Sequence, residues 1–562
     1  MYQVYPRSFA DSDGDGHGDL RGITQRIGHL ASLGVDALWI CPFYPSGGVD
    51  GGYDIVDHTG VDPEFGMVDD ATALIDAAHA HGLRVLVDLV PNHVSNQHPW
   101  FRAALAGGPG APERDLFHVR EGRGPGGAEP PSNWRSVFGG PTWTRITEPD
   151  GSPGPWYYHL FAAEQPDLNW QHPAVLAELE RIVRAWLDRG VDGFRIDVSD
   201  ALIKDPAFPD AHDGSPVIPK DESSGVHEIY RALRRVLDDY PGDRAAVVET
   251  GAPDEVVALF VRPDEMHLAF GFRFLHAGWS APALRAAIVD TLAANAVVGA
   301  PSTWVTDNHD TPRSVTRYGS DLALDGAYVP TAVDGGSADG EPGADGAGAD
   351  TLTDAERLAR GTRRARAMAV LLLSLPGAAF LYAGQELGLP EVTDLPDEVL
   401  RDPAFERSGR TVRGRDGCRV PMPWSGSEPP FGFSPTGRSW LPVPAAWRAL
   451  TVEAQDADPD SMLNLYRRML HLRRAEPALR RGTVRLLDED PQVLRVERSD
   501  ADGERLVIIV NLGTEPVALP VGEILLRSDG AGSVAGPGGG PSALRDTSRF
   551  LAPETAAVVR TR

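Results

Sequence analysis

The chain has 562 residues, 42% hydrophobic and 24% charged, with a formal charge of −27. That length suits a large barrel with a satellite domain, and the acidic balance argues against nucleic acid or an anionic membrane surface as a partner, because both need a basic footprint. No apolar run reaches membrane-spanning length, nothing after Met1 resembles a signal peptide, and Cys41 and Cys418 are the only thiols, so the expected location is the cytoplasm.

In chain order, short apolar runs alternate with amphipathic stretches. Residues 3–8, 37–41, 84–89, 193–197, 246–249, 267–272, 303–305 and 379–382 predict strands, and residues 23–33, 69–81, 174–188, 227–238, 281–294 and 355–374 carry a helical period. This is the pattern of an α/β fold, a (β/α)8 TIM barrel. The alternation breaks over 92–169, where Gly, Pro and Trp dominate, and an inserted subdomain after strand three is expected there. Residues 333–350 form a Gly/Ala/Asp tract expected to be a mobile acidic loop. Beyond it, runs at 484–487, 493–497 and 505–512 predict a C-terminal antiparallel β-sandwich domain. The expected division is 1–91 with 170–478 for the barrel, 92–169 for the insert and 479–562 for the C-terminal domain.

In a barrel of this kind the reacting groups sit at the C-terminal ends of the strands. A strand alternates its faces, so Arg195 and Asp197 of DGFRID point the same way, and the guanidinium should keep the carboxylate ionised, as suits a nucleophile. A lone Arg-x-Asp is more often a structural ion pair, so its company decides. That company is Asp88 and His93 in DLVPNH, Glu249 after AAVV, and His309 and Asp310 in DNHD. Converging carboxylates without a cationic cofactor site point to work on a neutral acetal, in which one acid protonates the leaving oxygen and another attacks the anomeric carbon. No organic cofactor is expected. The loop 11–19, DSDGDGHGD, alternates carboxylates with glycines as a loop that wraps a hard cation does; Asp11, Asp13, Asp15 and Asp19 are the candidate side-chain ligands, with His17 offering its carbonyl, and a solvated acidic turn is the other reading.

The series YQVYPRSF, GGYDI, DLVPNH, DGFRID, DNHD, FLYAGQELG and GRDGCRVPMPW spans nearly the whole chain and resembles the α-amylase superfamily, glycoside hydrolase family thirteen, in its α-glucosidase and oligo-1,6-glucosidase branch. The resemblance implies that Asp197 is the nucleophile, Glu249 the general acid/base, and Asp310 the carboxylate that holds sugar hydroxyls and stabilises an oxocarbenium-like state. It also implies that Asp54, Asp88, His93, Arg195, His309 and Arg415 line the subsite for the terminal glucose, and that a structural Ca2+ or Mg2+ sits in the 11–19 loop. The implied activity is that of a retaining exo-acting α-glucosidase on small neutral α-glucosides, acting as a monomer or homodimer. A glucosyl transferase or isomerase of the same superfamily, and a non-catalytic binding homologue, remain as alternatives. By the same resemblance Val198 implies acceptance of α-1,6 bonds. Three features depart from the family pattern: Thr250-Gly251-Ala252 follows Glu249 where relatives carry a tryptophan, Val94 and Asn96 stand where threonine and aspartate are usual, and relatives begin well upstream of YQVYPRSF.

Overall fold

The computed structural model describes residues 1–219, 225–320, 352–487, 489–530 and 549–561. The tract at 333–350 and Lys220 lie outside them. The strands in the first half of the chain are β1 (Tyr2–Val4), β2 (Ala37–Ile40), β3 (Arg84–Leu89), β4 (Val119–Arg120), β5 (Trp143–Thr147), β6 (Pro153–Tyr158), β7 (Gly193–Ile196), β8 (Ala245–Val248) and β9 (Leu268–Ala269). They are followed by β10 (Thr303–Val305), β11 (Ala378–Tyr382), β12 (Thr483–Leu486), β13 (Val493–Ser499), β14 (Arg505–Asn511), β15 (Val517–Ala518), β16 (Gly522–Arg527), β17 (Phe550–Leu551) and β18 (Thr555–Thr561).

Eight strands form one parallel sheet in the order β10-β11-β1-β2-β3-β7-β8-β9. The sheet curls into a nearly closed barrel, and at the β9/β10 seam the Thr303 hydroxyl donates to the Ala269 carbonyl. Parallel strands are covered on both faces and therefore read as unbroken apolar runs. That is the character of β2, Ala-Leu-Trp-Ile, which is wholly buried. At the start of β7 only glycine fits, since a Cβ on Gly193 would lie 1.7 Å from the Ala245 carbonyl oxygen of β8. The outer helices follow the same economy. In the helix Pro173–Asp188, Pro sits in the first turn, where no N–H is missed, His172 caps the Ala174 N–H, and Val175, Leu179, Ile182, Val183 and Trp186 turn one stripe inward.

Three elements differ from the sequence pattern, one of them the strand expected over 267–272, which is only Leu268–Ala269. The first strand stops at Val4 because Pro6 opens a short helix, Pro6–Phe9. The helix expected over 23–33 is two, Leu20–Gln25 and Ile27–Leu33, broken at Arg26, whose backbone (φ −102°, ψ 4°) leaves the helical region.

Between β3 and β7 the chain builds a short helix, Pro99–Ala106, and the antiparallel sheet β4-β6-β5. Its aromatic core, Trp134, Trp143, Tyr158 and Phe161, also takes in Phe208 from the loop after β7, so the insert and that loop pack as one wall over the barrel's C-terminal mouth. At the far end, β12-β13-β14-β18-β16 form an antiparallel sheet and β15-β17 a second one. Val493, Val507, Ile509, Leu551, Ala557 and Val559 fill the space between the two. Arg498 is fully buried and donates to the carbonyls of Ser374, Leu479 and Gly482, which ties this domain to the barrel.

Candidate active site

A cavity of about 610 Å³, open mouth included, lies at the C-terminal ends of the barrel strands. Asp197, Glu249 and Asp310 meet in it, joined by His93, His309, Arg415, Asp50, Tyr53 and Asp200. Its apolar wall is Val137, Phe138, Phe161, Val198 and Phe272. Aromatic faces beside hydrogen-bonding groups are what a sugar ring requires, since it offers C–H faces and hydroxyls at once.

One guanidinium organises the first group of acids. Arg195 Nη1 donates to Asp197 Oδ1 at 2.5 Å and to Asp88 Oδ1 at 2.8 Å, while Nη2 lies 2.8 Å from Glu249 Oε2. Arg195 and Asp197 therefore do share a face. The electrostatic outcome differs from the sequence expectation: burial drives the Asp197 carboxyl well above its usual range, and although Arg195 pulls it back, Glu249 and Asp88 push it up again. Asp88 is raised to about 6 for the same reason, burial outweighing Arg195. One cation does not offset the buried Asp88 and Asp197 with Glu249 beside them, so Asp88 and Asp197 resist ionising together.

The second group is built the other way. Asp310 Oδ1 faces Arg415 Nη1 at 2.9 Å and Arg419 Nη2 at 3.0 Å, and its Oδ2 lies 3.2 Å from His309 Nε2. Burial alone would raise Asp310, but the ring N–H of His309 and the guanidiniums of Arg415, Arg419 and Arg195 outweigh it and hold the carboxyl well below the ordinary range. Arg415 is itself pinned by Asp50 at 2.7 Å and Asp402 at 2.5 Å. Burial keeps both His93 and His309 below the usual imidazole range, so each is neutral.

Three expected wall residues take other places. Asp54 is fully buried and spends its carboxylate on the N–H groups of Val49 and Asp50, while Asp50 and Tyr53 reach the cavity instead. Gly51 (φ 57°) and Gly52 (φ 106°) turn the chain between the two acids. Asp88 lies a layer deeper, accepting from Arg195, Trp39 Nε1 at 2.8 Å and Tyr53 Oη at 3.1 Å. Arg195 is likewise buried beneath the acids it orients, with its guanidinium over Trp39. Where the family tryptophan is missing after Glu249, Thr250 and Gly251 form the wall and Phe272 supplies the aromatic face. Arg419 and Asp402 escaped the sequence reading, although Arg419 stands four residues after Arg415 in the same motif.

Val198 carries the most unusual backbone of the site. A β-branched residue at φ 45° is strained, and such strain persists only where the surroundings impose it. Here the Val198 N–H donates to Glu249 Oε2 at 3.1 Å and the Ser199 N–H to the Glu249 carbonyl at 2.9 Å, which locks the residues after Asp197 onto the acid of the next strand.

Behind the cavity a buried polar chain joins the insert to the barrel. Lys204 Nζ lies 2.6 Å from both Asp167 Oδ2 and Asn92 Oδ1, Asn92 continues to His93 Nδ1 at 3.2 Å, and Gln165 links His93 Nε2 (3.0 Å) to Asp50 (3.1 Å).

In the N-terminal loop, Asp11, Asp13 and Asp15 each bring a carboxylate oxygen within 4.8 Å of the others, a donor set that fits a hard cation. Asp19 does not join them. Its carboxylate accepts from Ser12 and caps the helix Leu20–Gln25 through the Gly22 N–H at 2.7 Å. The His17 ring pairs with Glu64 at 2.9 Å.

Acids gathered at the strand ends of a (β/α)8 barrel, inside a pocket of aromatic and hydrogen-bonding groups, define a carbohydrate-active enzyme. Residues 3–331 and 348–482 match the alpha amylase catalytic domain, and 479–559 match a domain of unknown function, DUF3459. The chain belongs to the α-amylase family of glycoside hydrolases. It is 35% identical to a probable alpha-glucosidase of Rhizobium meliloti (strain 1021), over 92% of this chain and 89% of that protein. It is 32% identical to an oligo-1,6-glucosidase of Parageobacillus thermoglucosidasius, over 91% and 89%. Among solved structures, an alpha-glucosyl transfer enzyme superposes with a TM-score of 0.80 at 33% identity, covering 100% of this chain and 98% of that one.

Proposed function

We propose that this enzyme removes terminal α-linked glucose from short α-glucosides with retention of configuration. The observation that carries the reading is the single guanidinium of Arg195 shared by Asp197 and Glu249. Retaining glycosidases keep their two carboxyls roughly 5–5.5 Å apart, whereas inverting ones leave about 6.5–9.5 Å for a water. Two acids on adjacent strands, bridged by the terminal nitrogens of one side chain, fit the shorter class. The crowded Asp197–Glu249 pair shares one proton; in the first step Glu249 passes it to the glycosidic oxygen while the Asp197 carboxylate attacks the anomeric carbon and forms a glycosyl ester. In the second, Glu249 takes a proton from water as that water displaces Asp197. Asp310, kept ionised by Arg415 and Arg419, accepts hydrogen bonds from the sugar hydroxyls and stabilises the cationic transition state.

Exo action is assigned to the pair Asp50–Arg415, which links the loop after β2 to the segment after β11 across the cavity lining. Asp11, Asp13 and Asp15 would hold Ca2+ or Mg2+ as a loop staple remote from the chemistry. The two buried free thiols suit a reducing compartment. Transfer to a sugar acceptor is the second reading, favoured by the likeness to the alpha-glucosyl transfer enzyme.

Incubation with maltose, isomaltose, sucrose and trehalose, scored for free glucose against new oligosaccharides, tests the proposal. Glucose should dominate and appear first as the α-anomer. New oligosaccharides exceeding free glucose at every substrate concentration would replace hydrolysis with transfer.

A further inference from the structure

We infer that Gln3 is a positioning residue that fixes the tautomer of His309 and thereby aims its Nε2–H into the pocket. The inference deepens the reading of this cavity as a glucose subsite and rests on it. Gln3 sits on β1 with its amide buried inside the barrel, where an unused polar group would be costly. Its side-chain nitrogen lies 2.6 Å from His309 Nδ1 and 3.2 Å from Cys41 Sγ.

The His309 ring has little freedom left. It stacks on Tyr53 (centroids 5.3 Å apart, planes at 14°) and on Tyr5 (6.0 Å, 26°), with Trp39 against it at 83°. What remains is the choice of which nitrogen carries hydrogen. On one side Nε2 faces Asp310 Oδ2 at 3.2 Å, and that carboxylate, paired with Arg415 and Arg419, can only accept. A neutral ring must therefore place its single proton on Nε2 and present a lone pair at Nδ1. The Gln3 amide is the donor that meets this lone pair, and Cys41 Sγ lies 3.2 Å from the same nitrogen, where it can accept the amide's other hydrogen. Each link demands the next: the arginines keep Asp310 an acceptor, Asp310 draws the proton to Nε2, and Gln3 keeps it there. Nε2–H can then be shared between Asp310 and a substrate hydroxyl. The other charged or titratable groups facing the ring are Arg195, Arg415, Arg419, Tyr5, Tyr53, Cys41 and Cys418.

The test uses the full chain labelled with nitrogen-15 histidine, His309 being assigned by its loss in His309→Gln. In the parent protein Nδ1 should give an unprotonated, pyridine-type resonance and Nε2 a protonated one, both unchanged from about pH 5 to about pH 8. Gln3→Glu replaces the donor with an acceptor. Its Nδ1 should become protonated, and kcat/KM on p-nitrophenyl α-glucoside should fall about tenfold, the effect of one placed hydrogen bond. Its pH profile should gain an ionisation that the parent lacks. Gln3→Met should lose a similar factor with the parental pH profile and a melting temperature within a few degrees. A parent Nδ1 that carries the proton, or a Gln3→Glu enzyme as active as the parent, would overturn the assignment. The resonance measurement needs no turnover, so an inert parent would refute the glucosidase reading without touching this one.

Discussion

Asp197 and Asp310 face the same cavity, both buried, yet their carboxyls are driven in opposite directions. Around Arg195, three carboxyls share one cation; Asp310 faces two, Arg415 and Arg419, with His309 beside it, although Arg415 is also held by Asp50 and Asp402. Burial pushes both acids up, and the number of neighbouring cations decides whether it wins. The undercompensated side can hold and pass a proton, as displacement chemistry requires. Asp310, with two cations against it, is held as a negative charge, as stabilising a cationic transition state requires.

The contrast breaks most completely at Asp197, the proposed nucleophile. Asp197→Asn should cut kcat by at least about a thousandfold, because the carboxylate forms the covalent bond, while the melting curve stays close to that of the parent. Considerable residual turnover would return Asp197 to a structural ion pair.

Arg415→Met attacks the other side. It strips one cation from Asp310 and leaves Asp50 and Asp402 without their shared partner. Breaking buried pairs in this way costs about 3–5 kcal/mol, and KM should rise with it. The sign with pH follows from Asp310: its folded pKa lies below the unfolded value, so its stabilisation is present above about pH 4 and is lost as pH falls. The stability gap between parent and variant should therefore be widest near neutrality and close below about pH 4. Melting curves across that range check it, and a gap that widens in acid would contradict the role given to Arg415.

Smaller effects come from residues outside both groups. Val198→Thr should shift the isomaltose-to-maltose ratio of kcat/KM toward maltose by about ten- to two-hundredfold, the worth of one contact beside the scissile bond. An unchanged ratio removes Val198 as the linkage determinant. Asp13→Asn should lower the melting temperature by a few degrees in calcium-containing buffer, leave turnover at low temperature as it was, and abolish the response to a chelator. Melting that ignores both calcium and the substitution would leave the loop a solvated turn.

The barrel and the acids that gather at its mouth are legible because two signals coincide, apolar runs of strand length ending in Asp88, Asp197, Glu249 and the Asp307–Asp310 motif. Position along a strand carries the geometry there. Loops offer no such period: Asp50 and Asp54 stand four apart, and only the glycine turn at Gly51 and Gly52 sends the earlier one to the cavity. Asp19 carried two compatible signals, ligand spacing and helix capping, and the cap took it. Nothing in the sequence announced the left-handed backbone of Val198, since a β-branched residue is the least expected one there. Lys204 stood out as one of only two lysines, but its burial between Asp167 and Asn92 depends on contacts more than a hundred positions away in one direction.

The most direct measurement is to trap the enzyme with a 5-fluoro-α-glucosyl fluoride, which forms the glycosyl ester quickly and releases it slowly, and to locate the label by peptide mass spectrometry. The asymmetry between the two groups predicts a single adduct, on Asp197. A label on Asp310 or Asp200, or an inactivated enzyme carrying none, would contradict it.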